Sequence, residues 1–159
     1  MLQAPVPLNE AHQLDGFACG IVSLDDWLKR RARANQISGA SRTFVVADEG
    51  GHVVGYYCLA SGALALNEAP GGFKRNMPDP IPMAILGRLA VDQAWQGHGL
   101  GAAMLRDAVE RTQTASTILG IRGLLVHVLS DHAKRFYERY GFVASPTSPM
   151  MLVISLRGG

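Results

Sequence analysis

The stretch Met83-Ala84-Ile85-Leu86-Gly87-Arg88-Leu89-Ala90-Val91-Asp92-Gln93-Ala94-Trp95-Gln96-Gly97-His98-Gly99-Leu100-Gly101 decides how the rest of the chain is read. Its first part, 83–91, is a mostly apolar run of strand length, and three glycines then occupy alternate positions at 97, 99 and 101. Helix-compatible sequence follows from Ala102 to about Arg111. Alternate glycines keep side chains out of the turn, so backbone N–H groups can close around an anion. A helix starting there adds unpaired N–H groups and the positive end of its dipole. The turn therefore offers main-chain recognition of a phosphate or pyrophosphate. The competing explanation is tight strand-to-helix packing, for which glycines are equally suited.

Two nucleotide-binding classes drop out. Gly97-x-Gly99-x-x-Ala102 satisfies the loose dinucleotide pattern G-x-G-x-x-G/A. That pattern normally follows the first strand of a domain, whereas here over ninety residues precede it. The acidic residue expected about twenty positions on is also missing, since that region holds Gly120, Ile121 and Arg122. No Gly-Lys-Ser/Thr follows the turn, which excludes the P-loop hydrolases.

Upstream, Thr43–Ala47 reads as a strand, 48–51 (Asp-Glu-Gly-Gly) as a hairpin turn, and Val53–Ala60 as the returning strand. Before it, Ser23 reads as an N-cap with Asp25 and Asp26 in the first helical turn. Leu24, Leu28 and Ala32 share one face of that helix and Lys29 and Arg33 another, and Gly39 closes the region. Residues 1–22 read as an opening strand and loop, and 67–80, rich in Pro and Gly, as a loop. Downstream of the glycine turn, Leu100, Met104, Leu105, Ala108 and Thr112 make a core face. Ile121–Leu129 reads as a strand buried on both faces, Ala133–Tyr140 as a helix capped by Ser130 or Asp131 and ended by Gly141, and Met150–Leu156 as the last strand. A hairpin followed by alternating strands and helices gives an α/β fold: one domain over residues 1–159, with a mixed, mostly antiparallel central sheet flanked by helices.

With 159 residues, 48% of them hydrophobic, the chain suits one globular domain. It has no run of 18 apolar residues to cross a membrane and no basic-then-apolar secretory leader at Met1–Pro7. Cys19 and Cys58 are too few for a disulfide framework or a zinc site, so both read as packing residues of a cytoplasmic protein that holds no metal. Net charge is only +2, but from Trp27 to Ala47 there are Lys29, Arg30, Arg31, Arg33 and Arg42 and no acid. Lys29, Lys74 and Lys134 are the only lysines among fifteen basic residues, so twelve are arginine, the side chain that pairs bidentately with phosphate. The cluster reads either as a solvated helix face or as a polyanion contact.

Gln96-Gly97-His98-Gly99-Leu100-Gly101 resembles the acyl-CoA motif Q/R-x-x-G-x-G/A of the GCN5-related N-acetyltransferases (GNAT family). About forty residues later, Ala133-Lys134-Arg135-Phe136-Tyr137-Glu138-Arg139-Tyr140-Gly141-Phe142 resembles that family's block A-x-x-F-Y-x-x-x-G-F, in the usual order. The resemblance implies a GNAT-like domain using acetyl-CoA as co-substrate. Its pyrophosphate would lie on Gln96, Gly97, His98, Gly99, Leu100, Gly101 and Ala102, its pantetheine arm along Leu89, Ala90 and Val91, and Phe136 would also contact it. The tyrosine matching Tyr137 would protonate the departing thiolate, although Tyr137 could instead pack like Phe136. The proton transfer is chemically reasonable, since a phenol of pKa about 10 is protonated at neutral pH and the thiol formed has pKa about 8.5. Tyr140 reads as packing beside Phe142, and His127 as a satisfied core histidine. Glu138 would point elsewhere, Asp92 would cap or orient the turn, and no general base stands out. Such a site suits an amine that is already partly neutral; an α-amine, with a reference pKa near 8, fits better than lysine at about 10.4.

Phe17-x-Cys19-Gly20, Leu24-x-x-Trp27-Leu28, Ala34-Asn35 and Gly39-x-Ser41-Arg42-Thr43-Phe44-Val45 are similar to the toxin branch of the family, the TacT-like toxins of type II toxin–antitoxin modules. That implies acetylation of the amino group of aminoacyl-tRNA, inhibition of translation, a homodimer, and neutralisation by a ribbon-helix-helix antitoxin. The tRNA would be held by Lys29, Arg30, Arg33, Asn35, Ser41 and Arg42. Departures are His98, where arginine or lysine is common, and the segment Ser145–Met151. The alternatives are an acetyltransferase for a small-molecule or peptide amine, and a non-catalytic acyl-CoA or RNA-binding module.

Overall fold

The computed structural model describes residues 2–156. In chain order its elements are β1 (Val6–Pro7), α1 (Val22–Arg30), α2 (Ala32–Ser38), β2 (Arg42–Ala47), β3 (Val53–Leu64), α3 (Gly71–Lys74), β4 (Ile81–Val91), α4 (Leu100–Ala115), β5 (Gly123–His127), α5 (Asp131–Arg139), β6 (Val143–Ala144) and β7 (Met151–Ser155). Short 3₁₀ turns lie at Leu66–Glu68 and Gln93–Trp95. The strands form one sheet in the order β1-β2-β3-β4-β5-β7-β6. β4 and β5, joined through α4, run parallel as a strand–helix–strand crossover requires. The pairs β1–β2, β2–β3, β5–β7 and β6–β7 are antiparallel. The expected mixed, mostly antiparallel sheet is therefore present.

The chain divides into two compact units, one running to Ala60 and including Gly87–Ala108, the other comprising Ser61–Leu86 and the chain from Val109 onward. β3, β4 and α4 contribute residues to both. Met1 and 157–159, the ends of the expected 1–159 domain, lie outside the described residues.

In the first unit, Phe17, Leu28, Ala32, Val45, Tyr56 and Ala90 belong to one buried cluster. The hairpin turn closes on Asp48, whose Oδ1 accepts the N–H groups of Gly50 (2.9 Å) and His52 (3.0 Å). Two expectations fail around the basic helix. Ser23 is not the N-cap: α1 starts at Val22, and Ile21 provides no side-chain cap. Asp25 Oδ1 reaches back to accept the Cys19 N–H at 2.9 Å, so the carboxylate holds the entering loop. The helix is also interrupted at Arg31 (φ −119°), which separates Lys29 from Arg33, although Leu28 and Ala32 remain buried. Gly39 ends α2 in the left-handed region, as expected (φ 81°).

In the second unit the cluster is built from Leu64, Phe73, Ile81, Met83, Leu125 and Val153. Burial of Phe73 explains why the stretch read as a plain loop contains α3. β5 is shorter than 121–129: Arg122 turns aside to donate to Ser155 Oγ (2.9 Å) and the Gly72 carbonyl (3.1 Å), and Leu129 is exposed. His127 is exposed as well, which corrects its reading as a core histidine. Gly123 lets β5 approach β7, since a Cβ there would run into the Ile154 carbonyl. Ser130 caps α5, accepting the Ala133 N–H at 3.1 Å, and Gly141 (φ 97°) ends it. Among the described residues no helix is long and apolar enough to cross a membrane.

Candidate functional site

The glycine turn, in the first unit, is held in shape by the residues that lead into it. Asp92 caps the short turn after β4, with Oδ1 accepting the Ala94 N–H at 2.9 Å and Oδ2 the Ala18 N–H at 3.0 Å. The Gln96 amide donates to two carbonyls, Cys19 at 2.9 Å and Val91 at 2.8 Å. Its side chain thus braces the turn, and its side-chain amide hydrogens are not left for a ligand. Gln93 N–H donates to the Ala18 carbonyl at 2.8 Å. Gly20 (φ 99°) fits beside Gln93, whose amide would lie 2.8 Å from an added Cβ. The segment 18–20, which sequence reasoning did not place here, therefore lines the approach to the turn.

Gly97 and Gly99 have φ of 82° and 81°. This left-handed backbone costs an ordinary L-residue roughly 1–2 kcal/mol. A Cβ at either position would meet nothing within 4 Å. Tight packing therefore does not account for these two glycines; the backbone does, and the side facing away from the protein is open. Tight packing occurs elsewhere, at Gly55 of β3, where a Cβ would come 3.0 Å from Met104 and 3.3 Å from Leu100 of α4. That close seat fixes the first turn of α4, whose N–H groups lack helical partners. Met104, Leu105, Ala108 and Thr112 are buried, as their spacing implied. His98 is exposed, with its ring edge-on to Trp95 at 6.5 Å, and Leu100, Gly101 and Ala102 are half-buried. Leu89 and Val91 are half-buried and Ala90 is buried. Paired left-handed glycines with clear space beside them, followed by a helix start, fit a pyrophosphate.

The residues expected to hold nucleic acid fall into two groups. Lys29 and Arg30 are exposed and have their charged ends in solvent. Arg33 instead donates to the carbonyls of His12 and Asn9. Together with burial, its charge pushes the His12 pKa down. Asn35 donates to buried Ser41 at 3.3 Å, and Arg42 donates to the Gln36 carbonyl at 2.7 Å. Arg33, Asn35, Ser41 and Arg42 therefore have partners within the chain.

Tyr137 lies in the second unit, on α5, and is 6% exposed. Its ring sits edge-on to Phe136 (5.1 Å) and Phe142 (5.3 Å). Burial raises its pKa, so the phenol keeps its proton through and beyond neutrality. Among the described residues nothing hydrogen-bonds its hydroxyl. Tyr140, expected beside Phe142, is instead 43% exposed and meets Phe136 at 5.3 Å; Tyr137 has taken the place against Phe142. Glu138 is exposed. Among the described residues no cluster of His, Cys, Asp or Glu could hold a metal.

Residues 40–144 match the acetyltransferase (GNAT) domain family. A tRNA-acetylating toxin from Mycobacterium tuberculosis is 47% identical over 154 residues, covering 97% of this chain and 92% of that protein. A probable toxin TacT from Sinorhizobium fredii is 30% identical over 157 residues, covering 91% of this chain and 86% of that one. Among solved structures, AtaT complexed with acetyl-methionyl-tRNAfMet superimposes with a TM-score of 0.90 at 26% identity, covering 98% of this chain and 95% of that chain. A mutant AtaT toxin bound to the C-terminus of the antitoxin AtaR and acetyl-CoA gives 0.83 at 26% identity, covering 98% and 93%.

Proposed function

We infer how the site works from the premise that this chain belongs to the GNAT acetyltransferase family. It is an acetyl-CoA-dependent N-acetyltransferase, a TacT-like toxin that acetylates the amino group of aminoacyl-tRNA and so inhibits translation. The observation that carries the reading of its site is the open pair of left-handed glycines at the head of α4.

In our proposal the backbone N–H groups of 97–102 hold the pyrophosphate, with His98 at the rim and Gln96 bracing the turn. Leu89, Ala90 and Val91 run beside the pantetheine arm, and Phe136 contacts the acyl end. Acetyl-CoA supplies the acetyl group. The acceptor amine attacks the thioester carbonyl, the C–S bond breaks, and Tyr137 gives its proton to the sulfur. The amine's own proton leaves to water, and the Tyr137 phenolate regains one from water, which closes the cycle; an α-amine is partly neutral at pH 7 and needs no strong base. Exposed Lys29 and Arg30 contact tRNA phosphates, Arg33, Asn35 and Ser41 support that surface from within, and exposed Arg42 is steadied at its edge by the Gln36 carbonyl. The family match takes in parts of both units, which supports reading residues 1–159 as one N-acetyltransferase domain. Likeness to AtaT bound by AtaR supports neutralisation by an antitoxin. The ribbon-helix-helix type of that antitoxin, the homodimer and the cytoplasmic location are our proposal from the family resemblance alone.

The test is to incubate the purified chain with acetyl-CoA and charged tRNA, following thiol release and recovery of N-acetylated aminoacyl-tRNA. Stoichiometric formation of both is expected. Thiol release with a small-molecule or peptide amine but none with charged tRNA would overturn the acceptor, and binding without turnover would leave only a binding module.

A further inference from the structure

We propose that Arg88 is a phosphate-binding residue for the acceptor strand, with its guanidinium held ready on the face of Trp27. The proposal rests on the aminoacyl-tRNA reading above and names a further residue of that substrate's site. Arg88 lies on β4 immediately before Leu89, and its guanidinium carbon is 4.4 Å from the centre of the Trp27 ring. The Trp27 ring in turn stacks on Tyr56, 6.0 Å away and only 10° from parallel. Tyr56 is wholly buried, donates its hydroxyl to the Leu24 carbonyl of α1 at 2.7 Å, and takes the edge of Phe17 at 5.5 Å. The cation thus rests on a platform rooted in the core of the first unit.

Arg88 is half-buried, and its surroundings offer no countercharge. The neighbouring Cys58 thiol and Tyr56 phenol are both pushed up by burial and stay neutral. Asp25 is turned toward the Cys19 N–H, and among the described residues no carboxylate pairs with Arg88. A partly desolvated guanidinium without an anion is costly unless a ligand supplies one. Stacking on Trp27 occupies the flat face of the group, the Cys58 thiol takes one contact at its rim, and the remaining N–H donors keep the fork that matches phosphate. The helix that carries Trp27 continues directly into Lys29 and Arg30, both exposed. The guanidinium itself is therefore mounted on the ring carried by the basic helix, which assigns its anion to the tRNA and not to acetyl-CoA.

The test compares wild type with Arg88→Gln and Arg88→Lys on charged tRNA and on an aminoacyl-adenosine lacking any phosphate. Arg88→Gln should raise the KM for charged tRNA about tenfold, leave kcat and the KM for acetyl-CoA within twofold, and act on the phosphate-free acceptor like wild type. Arg88→Lys should recover only part of the loss, and the dependence of log KM on log salt should flatten by about 0.7, the share of one single-strand phosphate. Trp27→Phe, which keeps an aromatic face, should move the tRNA KM in the same direction by less. A changed KM for acetyl-CoA would assign the anion to the cofactor, and equal losses on both acceptors would make Arg88 merely structural; either overturns the proposal. So would an unchanged tRNA KM. Failure of the wild type itself on charged tRNA would instead sink the functional reading beneath it.

Discussion

The glycine turn and the tyrosine helix treat water and polarity in opposite ways. Around Gly97 and Gly99 the chain strips away side chains and leaves open space where a Cβ would stand. Around Tyr137 it crowds Phe136 and Phe142 against the ring and leaves the phenol among apolar groups. The turn suits a permanently charged group, because fixed backbone dipoles need no titration. The buried phenol suits a proton that must stay in place until it is used, because desolvation holds it on the neutral form. In the proposed mechanism, binding and proton delivery thus rest on two physical devices, and they should fail separately.

The largest separation is expected from Tyr137→Phe. It removes one hydroxyl from an aromatic cluster and should cut turnover about 10²–10⁴-fold, the usual span for acid–base assistance, with acetyl-CoA affinity unchanged by calorimetry. Tyr140→Phe, at an exposed ring, should lie within a few-fold of wild type. Equal effects would break the comparison. The pH profile sharpens it: the raised phenol pKa means that turnover should show no loss from Tyr137 ionisation up to the ordinary tyrosine value of about 10. The sign for stability follows. The folded protein keeps this proton above pH 10 while the unfolded chain releases it, so this contribution is complete below about pH 10 and is lost as pH rises beyond.

Gly99→Asp should act the other way, weakening acetyl-CoA about a hundredfold or more while leaving the Tyr137 cluster intact. Its charge opposes the phosphates and its Cβ strains a backbone at φ 81°. Near-normal affinity in a folded variant would remove this turn from the cofactor site. Gln96→Ala is milder. It loses two hydrogen bonds worth about 0.5–1.5 kcal/mol each, so acetyl-CoA should bind about tenfold more weakly and the melting temperature should drop with it. If affinity fell and stability held, Gln96 would be a direct ligand after all.

The smallest effects distinguish the basic residues. Lys29→Glu with Arg30→Glu should raise the KM for charged tRNA several-fold without touching acetyl-CoA or stability. Arg33→Gln should chiefly lower the melting temperature, since its guanidinium holds the Asn9 and His12 carbonyls. A pure tRNA effect from Arg33→Gln would return it to the binding surface.

What could be read from sequence follows the range of each interaction. The strand–turn–helix at 83–111 and the helix ending at Gly141 are written in local patterns of glycine and apolar spacing, and the structure follows them. The interruption at Arg31 and the two-residue β6 have no such local signature. Nor does the docking of 18–20 beside the turn, since Ala18 meets Asp92 across 74 positions and Cys19 meets Gln96 across 77. Charge was visible at Arg33 and Arg42, but backbone carbonyls were the partners, and any sequence supplies those. Arg88 escaped notice because its meaning lies in Trp27, on an element more than fifty residues earlier.

The bond between Cys19 and Gln96 also orders events during synthesis. The acceptor carbonyls of 18 and 19 leave the ribosome early, but Gln93 and Gln96, their donors, follow only after some seventy-five more residues. Closing so long a loop adds little entropy per residue, yet it cannot occur before both ends exist. A nascent or prematurely terminated chain ending short of Gln96 therefore has no braced turn, and one initiated downstream of Cys19 lacks the brace from the other side. For an enzyme that disables the machinery making it, a copy cut short of Gln96 lacks both this turn and the helix that carries Tyr137.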